Sequence, residues 1–296
     1  MERRVLTDDD VESFQRDGYL IVKACFDPNE HWHWVEDSFA QTDIKLDDES
    51  TWPDEEVGHF STPHGGHSKE VKEMAPRLWD AMCDLVGDEE KIIQPLELRA
   101  AFTVNLNWRA SQPWVPPGPK AKRWHKDGAT YRQFLDSPEF TLLPLMYWTD
   151  VAHQGGGTFI APGAVPHVVR HLNKHREGLN KIGAAEDATT YRNHLEEWGR
   201  FEEVTLNAGD AMIMHAFLMH TISHNTNKVP RIMGRCTPRL KEPLNFDREN
   251  WDDYAPIEQL VLRHLEVERL EYEPMGPRMW KKGHQGKWFV HDGVVE

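Results

Sequence analysis

The stretch RWHKDG, residues 123–128, puts His125 and Asp127 one residue apart. In an extended chain the side chains repeat every two residues, so this imidazole and carboxylate point to the same side and can bind one ion together. Such a pair is half a metal site. Three histidines downstream offer the missing donor: His215, which ends GDAMIMH, and His220 and His224, both in HTISHNTNKVPR (220–231). Two imidazoles and one carboxylate on one face of an iron leave three positions open for substrate and oxygen, the facial arrangement of non-haem Fe(II) oxygenases. A carboxylate co-substrate would call for an arginine, whose planar fork gives two parallel charged hydrogen bonds. Arg231 follows His220 by 11 residues, and Arg235 follows His224 by the same 11. Spacing does not choose between the two pairs.

These residues need elements to position them. Thr7 followed by DDDVESFQRDG reads as an N-cap, an acidic first turn and a glycine stop, and YLIVKACF after it as a buried strand. A second helix is expected from Asp27-Pro28 to about Phe39, with Trp32, Val35 and Phe39 at helical spacing. His31 and His33, two apart on it, would point in opposed directions. Residues 44–69 read as a long surface loop or lid whose His59, His64 and His67 are solvated, and 69–86 as a helix that runs through Pro76. Strand signals follow at 93–107, 140–151, 157–161, 201–206, 211–220 and 231–238, a last helix at Pro256 to about Leu265, and an irregular tail. Helices first, many short strands in the middle and a helix last argue for a mainly β sandwich or jelly roll with helices outside.

The 296 residues suit one domain, and 39% hydrophobic residues supply a sizeable core. A net charge of −15 repels nucleic acid and anionic membranes, so the expected partner is a small molecule. The acidic start lacks the apolar stretch of a signal peptide, and Cys25, Cys83 and Cys236 are spaced neither as zinc ligands nor as a disulfide framework. A cytoplasmic location is expected. His167, His171 and His175 fall at helical spacing and read as a solvated face, while Gly155 to Gly157 read as a tight turn. Trp124, Tyr147, Trp148 and Phe159 adjoin the metal motifs and are candidates to line a substrate pocket, as are Asn105 and Asn107 on the preceding strand.

His125-x-Asp127, then His220, Asn225 five residues on and Pro230-Arg231 at ten and eleven form an ordered set that resembles the phytanoyl-CoA dioxygenase (PhyH-like) family of Fe(II)/2-oxoglutarate oxygenases. GGGTFIAPGAVPH (155–167) is similar to the family's stretch between metal motifs, and LTDDDVESFQRDGYLIV to its N-terminal region, so most of residues 5–240 is covered. The resemblance implies a double-stranded β-helix, a jelly-roll or cupin-like core over about 90–240. Flanking it would be a helical part at 1–89 and a C-terminal helix and tail at 241–296, all one domain. It implies Fe(II) held by the catalytic His125, Asp127 and His220, and 2-oxoglutarate gripped at its far carboxylate by Arg231 beside Thr158 and Asn105. O2 would be the third reactant and ascorbate a stimulant. The family often carries a small residue and then serine after the distal histidine; here Thr221 and Ile222 follow, so a hydroxyl contact would fall to Thr221, Ser223 or Thr158. Asp127 stands where related halogenases have a small residue. The implied activity is therefore hydroxylation, or another oxidation, of an unactivated C–H bond, coupled to decarboxylation of 2-oxoglutarate to succinate and CO2. The alternative is a metal-binding barrel or 2-oxoglutarate sensor without turnover.

Overall fold

The computed structural model describes residues 3–128, 130–179, 195–281, 288–290 and 293–294. The chain opens with helix α1 (Asp8–Asp17), where Thr7 Oγ1 accepts the Asp10 N–H and the Asp10 carboxylate accepts the Thr7 N–H. Two otherwise orphaned donors are thereby satisfied. Gly18 ends the helix in the left-handed region, at φ 76°, and β1 (Tyr19–Val22) follows at once. Val11 and Phe14 of α1 are buried, and the helix packs on α6 (Pro256–Leu265). Pro256 opens α6, and Glu258 accepts the Ala255 N–H at 2.8 Å. Helix α4 (Pro76–Val86) also lies against β1 and α6.

The framework is two antiparallel sheets. The larger joins β1, β9 (Ala211–His215), β6 (Leu142–Tyr147), β11 (Arg231–Arg235), β5 (Thr103–Asn105) and β2 (His59–Ser61), in that order. The smaller joins β10 (Met219–Ile222), β7 (Thr158–Ala161) and β8 (Glu202–Glu203). Every residue of β6 and β9 is buried, which explains why these central strands read as apolar runs rather than alternating ones. The remaining elements are α2 (Trp32–Phe39), a pair β3 (Ser68–Glu70) and β4 (Glu97–Arg99), α3 (Val71–Met74), α5 (Val165–Lys174), and a late sheet of β12 (Met279–Lys281), β13 (Trp288–Val290) and β14 (Gly293–Val294). The architecture is the expected mainly β jelly roll with helices outside.

Several expectations are corrected. The second helix begins at Trp32, because residues 28–31 form a turn. The expected helix over 69–86 is two helices, since Pro76 has no N–H to continue α3 and instead opens α4. The strand expected over 211–220 is also two: the chain leaves the large sheet after His215, turns through Ala216 to Leu218, and enters the small sheet as β10. The supposed loop 44–69 contributes β2, an edge of the large sheet paired with β5 from His59↔Asn105 to Ser61↔Thr103. The tail is not irregular throughout, since β12 to β14 form a sheet, although 282–287 lie outside the described residues. The 167, 171, 175 stripe does lie at α5, but each of its histidines is half-buried rather than fully solvated.

His215 separates fold from function. It is buried against Phe14 and Phe217, and its Nδ1 accepts the Phe217 N–H at 3.2 Å. Burial, then His264 and Lys126, push its pKa down to about 3 from an ordinary 6.5. The unfolded chain takes up a proton there that the folded chain refuses, so the stabilisation is complete above pH 6.5 and is lost as pH falls toward 3. Unfolding at pH 7.5 and 5.0 should show a loss for which His215 accounts by ~2 kcal/mol, from about 1.4 kcal/mol per pH unit below 6.5. His215→Gln should be less stable at pH 7.5 but shrink that loss; an unchanged loss would discharge His215 from acid sensitivity.

Candidate active site

His125 is placed by backbone pairing. Its N–H donates to the His220 carbonyl at 3.0 Å, and the His220 N–H donates back at 2.8 Å, extending the small sheet by one bridge. Residues so opposed project their side chains to the same face, and the two imidazole centres are 4.4 Å apart. Asp127, two residues on, brings its Oδ1 to 3.6 Å from His125 Nε2 and 3.9 Å from His220 Nε2. One donor atom from each of the three residues lies within 4.8 Å of the other two. This is the sole such trio of His, Cys, Asp or Glu donors among the described residues.

The donors suit a metal ion in protonation as well as position. His125 Nδ1–H donates to the Arg123 carbonyl at 2.8 Å and His220 Nδ1–H to the Leu218 carbonyl at 3.1 Å. Each bond selects the tautomer that turns the Nε2 lone pair toward Asp127. Burial opposes charge on Asp127, but His220, His125, Arg235 and Lys126 outweigh it and hold the carboxyl below its ordinary range. Asp127 Oδ2 faces Arg235 Nη1 at 3.4 Å, so one carboxylate oxygen is directed at the imidazoles and the other at a guanidinium. Small side-chain rotations would bring the three donors to the ~2.0–2.2 Å of metal–nitrogen and metal–oxygen bonds. The intervening Lys126 points the other way, buried, with Nζ 5.6 Å from the Phe217 ring centre.

The trio opens into a cavity of about 530 Å³ between the two sheets, within the roughly 300–1,000 Å³ of small-molecule sites. Strand alternation decides its lining. The large sheet contributes His59 and Ser61 of β2, Thr103 of β5, Leu143 and Leu145 of β6, and Arg231, Met233 and Arg235 of β11. Thr158 of β7 and Ile222 of β10 face them from the small sheet.

Arg231 is 1% exposed. Its Nε donates to the Gly156 carbonyl at 3.0 Å and Nη1 to the Thr103 carbonyl at 3.2 Å, and among the described residues no carboxylate pairs with it. Burial pulls its pKa down to about 10 against the opposing effect of Tyr147, so it stays charged at neutral pH. Gly156 lies in the left-handed region, at φ 73°, and a Cβ there would stand 2.4 Å from Asn105 Nδ2. The glycine turn is thus required for its carbonyl to approach Arg231. Thr158 Oγ1 is 3.2 Å from the Tyr147 hydroxyl and is the cavity hydroxyl nearest in sequence to that turn. Thr221 spends its hydroxyl on the Lys122 carbonyl at 2.7 Å, and Ser223 lies outside the cavity.

Other expected residues lie elsewhere. Asn105 is fully buried: its Nδ2 donates to the Gly156 and Ser223 carbonyls and its Oδ1 accepts the Trp108 N–H, which leaves nothing for a co-substrate. Asn107 donates to the Pro53 carbonyl. Trp124 packs against Trp198 and Phe201, and Trp148 sits between Phe26 and Phe102. Phe159 faces away beside Trp114, and Tyr147 is buried behind Thr158. None of the four lines the cavity. His224 packs edge-on against Trp108, 5.3 Å between centres, and belongs to a separate pocket. Asn225 is structural: its Nδ2 donates to three backbone carbonyls, those of Asn105, Leu106 and Val229. His59 was expected in solvent but lines the cavity, and burial, Arg231, Arg123 and His125 push its pKa down to about 3, so it is a neutral imidazole.

Comparison with known proteins bears on this geometry. Among solved structures, the chain is similar to the non-heme alpha ketoglutarate dependent carbocyclase SnoK from nogalamycin biosynthesis, at 15% identity over 82% of this chain and 89% of that one, with a TM-score of 0.50. The epimerase SnoN from the same biosynthesis gives 16% identity over 78% and 82%, TM-score 0.49. HygX from Streptomyces hygroscopicus, with nickel and 2-oxoglutarate bound, gives 13% over 80% and 88%, TM-score 0.46. At such identities the likeness to SnoK bears on the fold alone. No curated protein matches the sequence. The model of the family described as Phytanoyl-CoA dioxygenase (PhyH) matches residues 14–233, a span that takes in the small sheet, the large sheet up to the middle of β11, the histidine–aspartate trio and the buried arginine. The chain belongs to the phytanoyl-CoA dioxygenase family.

Proposed function

We propose that the protein is an oxygenase that uses Fe(II), 2-oxoglutarate and O2 to hydroxylate, or otherwise oxidise, an unactivated C–H bond of a small organic molecule. One observation carries the reading: a His-Asp-His trio of matched tautomers opens into the same cavity as a buried guanidinium that no carboxylate of the described chain neutralises. In this assignment His125, Asp127 and His220 hold the iron. With co-substrate and O2 it supplies the oxidising chemistry, in which 2-oxoglutarate becomes succinate and CO2 and an oxygen atom passes to the substrate.

The chain's own residues do the positioning. Arg231 receives the far carboxylate of 2-oxoglutarate, and two rigid backbone carbonyls fix the plane of its fork. Thr158, steadied by Tyr147, offers a hydroxyl along the same wall. Leu143, Leu145, Ile222 and Met233 make the remaining wall apolar, which excludes water from the reacting carbon and strengthens the polar contacts inside. Among the described residues no helix is long and apolar enough to cross a membrane. A cytoplasmic location would suit the three buried, unpaired cysteines.

Three experiments test the assignment. His220→Ala should lose Fe(II) on dialysis and release no succinate, whereas His224→Ala should retain both; the opposite pattern would move the ligand to His224. Arg231→Ala should keep the metal but weaken 2-oxoglutarate binding by about a hundredfold or more, as expected for the loss of two charge-assisted hydrogen bonds. Unchanged co-substrate affinity would remove Arg231 from that role. Oxygen-dependent succinate release in the presence of Fe(II) and ascorbate marks an enzyme; tight binding without release across a panel of small molecules would mark a sensor.

A further inference from the structure

The cavity carries more positive charge than iron and co-substrate would use. Arg123, Arg231 and Arg235 face it, against the single carboxylate of Asp127, an excess of two. On the reading given above, the charge of a divalent ion and that of the dianionic co-substrate cancel, so the excess persists toward the third molecule. The cations are also unevenly distributed. Arg231 lies at the floor, whereas the Arg235 side chain is 63% exposed at the mouth. The two stand four positions apart on β11, and Arg235 meets the Asp127 carboxylate while Arg231 meets the Gly156 and Thr103 carbonyls.

Arg123 completes the mouth. It stands in the left-handed region at φ 68°, is exposed, and its guanidinium lies 5.7 Å from the Trp108 ring centre. Among the described residues no carboxylate pairs with it. Arg235 meets Asp127 through Nη1 alone, at a long 3.4 Å, which leaves its other nitrogen donors to a ligand. In a chain of net charge −15, a cavity mouth with two arginines and no acid other than Asp127 is a local reversal of sign, and the low-dielectric walls focus it on anions. Between mouth and floor the lining turns apolar at Leu143, Leu145, Ile222 and Met233.

We propose that the primary substrate is an anion, a carboxylate or phosphate borne on an apolar frame, and that Arg123 and Arg235 hold the charged group while the leucine and methionine wall holds the frame. The inference rests on the oxygenase reading of the same cavity. It makes Arg123 a substrate-binding residue and fixes the substrate's orientation, charged end outward and apolar carbon toward the trio.

The test uses the full chain loaded with Ni(II), as a redox-inert substitute for iron, and with saturating 2-oxoglutarate. Hexanoate, hexyl phosphate and 1-hexanol are then titrated by calorimetry. At least one anion should bind about tenfold or more tightly than the alcohol, with an affinity that falls as salt is raised; the anion preferred identifies carboxylate or phosphate. Arg123→Gln, at an exposed position, should remove that preference while metal, 2-oxoglutarate and hexanol binding stay as they were. If the loaded protein binds all three probes alike, or Arg123→Gln and Arg235→Gln both leave the anion preference intact, this inference falls and the oxygenase reading stands. If Ni(II) and 2-oxoglutarate fail to load at all, both fall together.

Discussion

The site depends on one pair of backbone hydrogen bonds, those exchanged between His125 and His220. Two peptide groups that donate to each other hold the chain in a single register, and that register sends both imidazoles to the same face. A slip of one residue would turn His220 away from the cavity, leaving Asp127 and His125 as half a site. The Nδ1 bonds to Arg123 and Leu218 then set which nitrogen faces the ion position. Metal chemistry here is consequently a property of sheet pairing, not of loop geometry.

A second constraint supports the first from the opposite wall. Burying a guanidinium without a carboxylate is costly unless its donors are met, and two are met by carbonyls from different strands and turns. The Gly156 carbonyl serves Arg231 and Asn105 at once, and Asn225 ties the neighbouring backbone together. Residues that looked like co-substrate contacts are thus the scaffold that aims the arginine.

How much of this was legible in the sequence follows from the same physics. The cap at Thr7, the stop at Gly18 and α6 were readable because capping and helical period are local. His125 and Asp127 were readable as a pair by strand alternation, and the choice of His220 and Arg231 over His224 and Arg235 came from family resemblance, since 11 residues separate both pairs. The substrate residues were misjudged by adjacency. Trp124 precedes His125 and Phe159 follows Thr158 by one position, and in a strand that places each on the opposite face. The alternation that joined His125 to Asp127 excludes Trp124 by the same rule. His59 read as a solvated loop histidine because a three-residue edge strand within Asp, Gly and Pro-rich surroundings carries no periodic signal; only pairing with β5 places it.

The interleaving of the large sheet has a consequence for biosynthesis. Strand β1, at residues 19–22, has its partner at 211–215, while β2 and β5 reach the rest of the sheet through β11 at 231–235. Neighbours so distant along the chain close slowly, because the loop entropy precedes the contacts that repay it. The small-sheet wall ends with β10 at residue 222, but the large-sheet wall is complete only once the ribosome has released β11. A chain ending before β11 would therefore carry the His125, Asp127 and His220 donors but neither Arg231 nor the completed large-sheet wall that faces them.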